Sequence, residues 1–179
     1  GALPVTVIDR AAIEFSGQTS VADLLRNTSF NSTGSFRPRS GSSSQGVSEI
    51  NLRGLGASRS LVLVDGRRLA RSPSTGSSQD LNGIPAAAVE RIEILTDGAS
   101  AVYGSDAIGG AVMLRTKSPE DMLRTEGDEH RFGIKSSYTS ADEQFKNTLS
   151  WAMRKGKLET LVMATYAQGS ETETHSSGS

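Results

Sequence analysis

The stretch from Glu90 to Lys117, ERIEILTDGASAVYGSDAIGGAVMLRTK, constrains the fold more than any other part of the chain. Ile92 and Ile94 alternate with Arg91 and Glu93, the period-two pattern of a half-buried strand. Asp97-Gly98 breaks that run, Ala99 to Tyr103 suits a short helical turn, and Gly104 ends it. Gly109-Gly110 permit backbone angles closed to other residues, and Ala111 to Thr116 reads as a second strand. Two strands joined by a compact glycine-rich turn bearing one aromatic, Tyr103, are therefore predicted. Periodicity alone leaves this an ordinary strand-turn-strand unit of an α/β protein.

The flanks supply the rest of a small mixed sheet. Val5 to Ile8 is β-prone, Asp9 can cap a helix over Arg10 to Phe15, and Gly17 closes it. Ser20 and Asp23 form a weak capping-box variant, after which Val21, Leu24 and Leu25 fall on one helical stripe. Asn51 to Val64 reads as strand, turn, strand, and Leu61 to Val64 is apolar throughout, as in a strand covered on both faces. Asp65-Gly66 is a tight-turn pair, and Pro85 starts a helical turn over Ala86 to Ala88. The expected core is Ile50, Leu52, Leu61 to Val64, Ile92, Ile94 and Val112, with Leu24 and Leu25 packed on it.

Two polar loops interrupt this pattern, Asn27 to Gly46 and Arg71 to Asp80. The first has a disorder-like composition; Phe30, Phe36, Arg37 and Arg39 are its bulkiest residues. Positive charge concentrates between Arg37 and Arg71, where Arg37, Arg39, Arg53, Arg59, Arg67, Arg68 and Arg71 face only Glu49 and Asp65. Arginine favours bidentate contacts to carboxylate or phosphate, although a solvated surface would look the same. The net charge of −1 predicts no nucleic-acid partner.

Beyond Lys117 the character changes. Residues 118–130 read as a charged linker, and residues 131–168 as three alternating segments of about ten residues joined by short turns. Residues 169–179 contain no apolar side chain and read as a disordered tail.

Several dispersed motifs in order resemble one family. Glu49-Ile50-Asn51-Leu52-Arg53-Gly54-Leu55-Gly56, Leu61 to Gly66, Ile84-Pro85, Val89 to Ile94, Tyr103-Gly104-Ser105, Ala107 to Gly110 and Thr116-Lys117 are similar to the signature of the plug domain of TonB-dependent outer-membrane receptors. The resemblance implies an α/β (α+β) plug over residues 1–117, a small mixed sheet with short helices and long polar loops. Residues 131–168 would then be the first strands of a β-barrel that has about 22 in such receptors.

It also implies a function: a gate that occludes the barrel pore in the outer membrane of a Gram-negative bacterium. Ligand at the outer loops would release a periplasmic TonB box for TonB-driven uptake. The nutrient could be a siderophore, cobalamin, a glycan or a peptide. No such box and no export signal is read in this chain, so it is expected to be a trimmed or mature piece. Outer-loop ligand contacts would come from Phe36, Arg37, Arg39, Arg59 and Arg71, with Gly54, Asp65, Gly66, Tyr103, Gly104, Gly109 and Gly110 shaping the motif turns. Arg53 is expected to reach the barrel wall, where related receptors present glutamate. One departure stands out: many plugs place R-G-P after the E-R-I-E strand, and this chain has Thr96-Asp97-Gly98.

Other chemistry is poorly supported. With no cysteine, disulfides, Cys-ligated zinc and thiol catalysis are excluded. His130 and His175 lie far apart in polar segments without metal-ligand spacing, no G-x-S-x-G elbow occurs, and neither catalysis nor a cofactor is expected. The rival is a soluble α/β nucleotide-binding domain or enzyme, in which Asp65 at the end of an apolar strand would bind ribose or metal. No complete phosphate-loop or G-x-G-x-x-G motif accompanies it.

Overall fold

The computed structural model of the chain describes residues 4–29, 50–71, 79–81, 83–139 and 144–168. It falls into two compact units that divide between Lys117 and Ser118. The first is an α+β domain built on a five-stranded mixed sheet; the second is a three-stranded antiparallel sheet. Among the described residues no helix is long and apolar enough to cross a membrane, which does not bear on crossing by strands.

In the first unit the strands are β1 (Val5–Ile8), β2 (Ser60–Val64), β3 (Arg67–Arg68), β4 (Val89–Leu95) and β5 (Gly110–Thr116). Their spatial order is β1-β4-β5-β2-β3. Among the described strands only β2 and β5 run parallel, with Ser60 opposite Gly110 and Val64 opposite Leu114. The alternation read in β4 holds: Ile92 and Ile94 are buried and Arg91 is exposed. Val89 is buried as well, out of phase with them. The ladder slips between Val89 and Arg91, so an extra residue in β4 resets the pleat and returns Val89 to the core.

Both faces of the sheet are covered, as the unbroken apolar run of β2 requires. On one side Val62, Ile92, Ile94, Val112 and Leu114 meet Ile13 of α1 (Arg10–Phe15) and Leu24 and Leu25 of α2 (Val21–Arg26). On the other, Leu61, Leu63 and Ala111 meet Ala99 of α3 (Ala99–Tyr103) and Ala107. Asp9 caps α1 by accepting from Ala12 N at 2.9 Å. Ser20 caps α2, but the Asp23 carboxylate takes the Ser20 hydroxyl at 2.9 Å; an aspartate is a carbon shorter than the usual glutamate. The expected core residues are buried, apart from half-buried Val64 on the rim of the first cluster.

Among the described residues, the strand expected from Asn51 is reduced to a single bridge residue at Leu52. Leu52 N donates to Ser60 Oγ at 2.9 Å and Asn51 Oδ1 accepts from Gly56 N at 2.8 Å, so local side chains satisfy this backbone in place of a long ladder. Gly109 also needs a different explanation from the one its sequence suggests. A Cβ there would lie 3.0 Å from Arg59 O and 3.2 Å from Leu52 O, so crowding by two carbonyls, not a backbone angle, favours glycine. Gly110 combines both constraints, with φ +133° and Leu52 Cδ1 and Leu95 O each 2.9 Å from an added Cβ.

The second unit opens with a 3₁₀ turn, Pro119–Asp121, in the segment expected to be a charged linker. Glu129 orders the following turn by accepting from Arg124 N, Thr125 N and Thr125 Oγ1, each at 2.9 Å. The strands β6 (Glu129–Thr139), β7 (Gln144–Lys155) and β8 (Leu158–Gln168) pair in register without a break. One face carries Phe132, Ile134, Tyr138, Phe145, Leu149, Val162 and Tyr166, all exposed, with Trp151 between Phe132 and Val162. The other carries Thr148, Ser150, Ala152 and Arg154; Thr148 and Thr165 share a hydroxyl contact of 3.2 Å, and Arg154 pairs with Glu159 at 2.6 Å. The expected tail lies outside the described residues.

Candidate functional site

The two ends of the five-stranded sheet differ in chemistry. At one, β4 finishes and β2 and β5 begin; Arg53, Asp97, Tyr103, Asp106 and Arg71 are brought there by the register and the connections between strands. At the other lie Asp65, Thr116 and Lys117.

Arg53 sits in a turn in which Leu55 N donates to Leu52 O at 3.4 Å, with φ +58° at Arg53 and +71° at Gly54. Two consecutive left-handed residues make this a type I′-like turn, a geometry that normally selects Asn, Asp or Gly first. A left-handed arginine costs about 1–2 kcal/mol, so its side chain is the reason to place it there. The guanidinium donates to Thr96 O at 3.0 Å and to Asp97 Oδ1 at 2.7 Å. Both side chains stay substantially exposed, 49% for Arg53 and 62% for Asp97. Asp97 is thus an internal partner at the position where the family pattern differs. The chain supplied that clue, but the sequence reading did not join the two.

A second arginine cluster lies nearby. Arg68 Nη1 donates to Asp106 Oδ2 and Arg68 Nη2 to the Tyr103 carbonyl, both at 2.7 Å. Arg71 approaches the same Asp106 oxygen at a looser 3.5 Å. These residues rim a cleft of about 230 Å³ whose lining includes Leu61, Leu69 and Ala57. The Gln79 side chain closes one flank, accepting from Val62 N and donating to the Val62 and Leu69 carbonyls. Of the expected ligand residues, Arg71 is in this cleft. Arg59 uses its carbonyl to accept from Gly109 N at 2.8 Å, and its side chain is not part of the lining. Phe36, Arg37 and Arg39 lie outside the described residues. Arg68, Gln79 and Asp106 were not anticipated.

The motif turns have local causes. Asp65 (φ +48°) and Gly66 (φ +77°) form the two-residue connection of the β2–β3 hairpin, where Val64 pairs with Arg67. The Asp65 carboxylate accepts from Thr116 N at 2.9 Å and from Thr116 Oγ1 at 2.6 Å. An aspartate committed to the end of β5 is a turn residue, which removes the anchor of the nucleotide reading. Tyr103 directs its hydroxyl to Met113 Sδ at 3.2 Å, and Gly104 stops α3 at φ +88°. Among the described residues no group of three or more His, Asp or Glu gathers as metal ligands.

A family model, the TonB-dependent Receptor Plug Domain, matches residues 2–111. The chain belongs to that family. Solved structures share the fold of this plug-domain chain. One is a variant of the ferric enterobactin receptor of Pseudomonas aeruginosa in complex with enterobactin. It has 24% identity and a TM-score of 0.61, over 92% of this chain and 24% of the receptor. The siderophore receptor PirA of Acinetobacter baumannii gives 23% identity and a TM-score of 0.58, over 92% of this chain and 24% of its own. The copper transporter OprC gives 16% identity and a TM-score of 0.68, over 92% and 23%. The chain therefore spans about a quarter of the length of these proteins, and the likeness takes in its three-stranded sheet as well as its plug.

Proposed function

We propose that the protein is the gate of a TonB-dependent outer-membrane receptor of a Gram-negative bacterium. Residues 1–117 would occlude the pore, residues 118–130 connect, residues 131–168 begin the barrel and residues 169–179 form a tail. The observation that carries this reading is the family match over residues 2–111, continued by a sheet with one bare apolar, aromatic face and one small, polar face. That division suits a strand facing lipid on one side and the lumen on the other.

In this reading the receptor takes up a small nutrient under TonB drive, the siderophore, cobalamin, glycan and peptide classes remaining open. The end of the sheet bearing Arg53, Asp97, Asp106 and Arg71 serves ligand and wall. Arg53, with donors left beyond its two contacts, meets the barrel. Arg71, together with Phe36, Arg37, Arg39 and Arg59 around the polar loops, serves the ligand. The end from which Lys117 leaves serves the connection to the barrel. The plug binds and moves, and bond-making chemistry has no place in the scheme.

The test uses the complete receptor. With no native cysteine in this chain, one cysteine at exposed Leu55 and one in the facing barrel wall would form a tether. Oxidation should stop uptake and reduction restore it. Unchanged uptake with the tether closed would refute gating by this domain.

A further inference from the structure

We infer that the cleft between Arg68, Arg71 and Asp106 is a binding site for a singly charged carboxylate with a compact apolar body. It deepens the receptor reading and rests on it for the reason a ligand arrives there. Charge, anchoring and shape each bear on the class of ligand.

Two arginines face a single aspartate, so the cluster carries an excess of one positive charge. One carboxylate neutralises it; a phosphate dianion would overshoot. Arg68 is held in place from two sides by Asp106 and the Tyr103 carbonyl, and an oriented guanidinium loses little freedom when it binds. Arg71 is the adjustable member. Its 3.5 Å approach to Asp106 is longer than a good hydrogen bond, and its side chain is 53% exposed, so its planar fork is open to a bidentate contact. Leu61, Leu69 and Ala57 give the lining an apolar portion beside the polar Ser58, Ser60 and Gln79. Its roughly 230 Å³ is smaller than a typical whole-ligand pocket. It fits a single ring or branched chain, or one arm of a larger molecule.

The experiment titrates the 179-residue chain with benzoate, followed by amide NMR at Ala57, Leu69 and Arg71, with benzamide and inorganic phosphate as comparisons. Benzoate should produce saturable shifts at these amides, and Arg71→Ala should weaken binding at least tenfold while leaving the remaining spectrum in place. Arg71→Lys should recover only part, because an ammonium cannot form the fork. Should Arg71→Ala perturb the fold, Arg71→Gln takes its place. The inference is overturned if benzoate gives no saturable shift, if benzamide binds equally well, or if phosphate binds more tightly. None of those results alters the outcome of the cysteine tether, so failure here and failure of the gate reading remain distinguishable.

Discussion

Arg53 and Asp97, 44 positions apart, form an ion pair of 2.7 Å inside the plug. The pair falls in the Thr96-Asp97-Gly98 stretch, where this chain departs from the R-G-P of many plugs: Thr96 stands at the arginine position and the following Asp97 binds Arg53. The pair fastens the turn after Leu52 to the end of β4 and holds a left-handed arginine in place.

Because both partners are well exposed, the pair should contribute no more than about 1 kcal/mol. Arg53→Ala should therefore move the urea midpoint of the chain only slightly. Arg53→Gly loses the same pair but also the strain at φ +58°, and should be more stable than the alanine variant by about 1 kcal/mol. Equal midpoints would show that Arg53 is not strained. In the complete receptor Arg53→Ala should increase leakage of antibiotics, since orphaning a buried partner costs about 3–5 kcal/mol. A receptor as tight as its parent would remove Arg53 from the wall contact.

Asp65 has two duties, the left-handed turn position and the two bonds to Thr116. Asp65→Ala should destabilise by about 2 kcal/mol, measured by chemical denaturation. Asp65→Asn should cost less than half of that, because asparagine tolerates the left-handed region and keeps an acceptor. A larger loss for asparagine than for alanine would contradict this assignment.

Glycine positions separate strain from crowding. Gly66 has φ +77° and nothing within 4 Å of an added Cβ, whereas Gly110 has φ +133° and two contacts at 2.9 Å. Gly66→Ala should cost about 1 kcal/mol. Gly110→Ala should exceed it by about 1–3 kcal/mol through overpacking against Leu52 and Leu95. Comparable thermal shifts for the two variants would mean that the core yields at Gly110.

The apolar face of the three-stranded sheet makes a further test possible. Trp151 stacks between His130 and Phe132, with ring centroids 6.3 Å and 6.4 Å away. Detergent micelles should shift its emission to the blue. Ile134→Glu, at a 77% exposed position, should change stability in water by no more than about 0.5 kcal/mol yet suppress that shift. A shift that persists in the variant would mean that micelles do not engage this face.

Much of the fold was legible because strand pleat and burial write a period-two pattern into β4, and caps mark α1 and α2 directly. The Glu90 irregularity was not, since a slipped ladder leaves both flanking residues looking apolar or charged as before. The parallel pairing of β2 with β5 joins residues 50 positions apart, such as Ser60 and Gly110, and no local pattern records it. The candidate site was legible in its turns. Its assembly was not: Arg68 meets Asp106 across 38 positions, and charge patterning shows that arginines cluster without showing which acid holds them.

The sheet also has a mechanical weak link. β1 is an edge strand attached to β4 by four residue pairs, from Val5 opposite Leu95 to Ile8 opposite Ile92. Among the described residues its outer side has no neighbour in the sheet. Tension on the backbone just before β1 enters at the Leu95 end. Directed toward the Ile92 end, it peels the ladder open one pair at a time, whereas the opposite direction loads all four pairs together. β1 therefore yields at a low force in one direction and a higher force in the other, while β4, β5 and β2 remain joined through longer ladders. The plug can shed its first strand under load without surrendering its core.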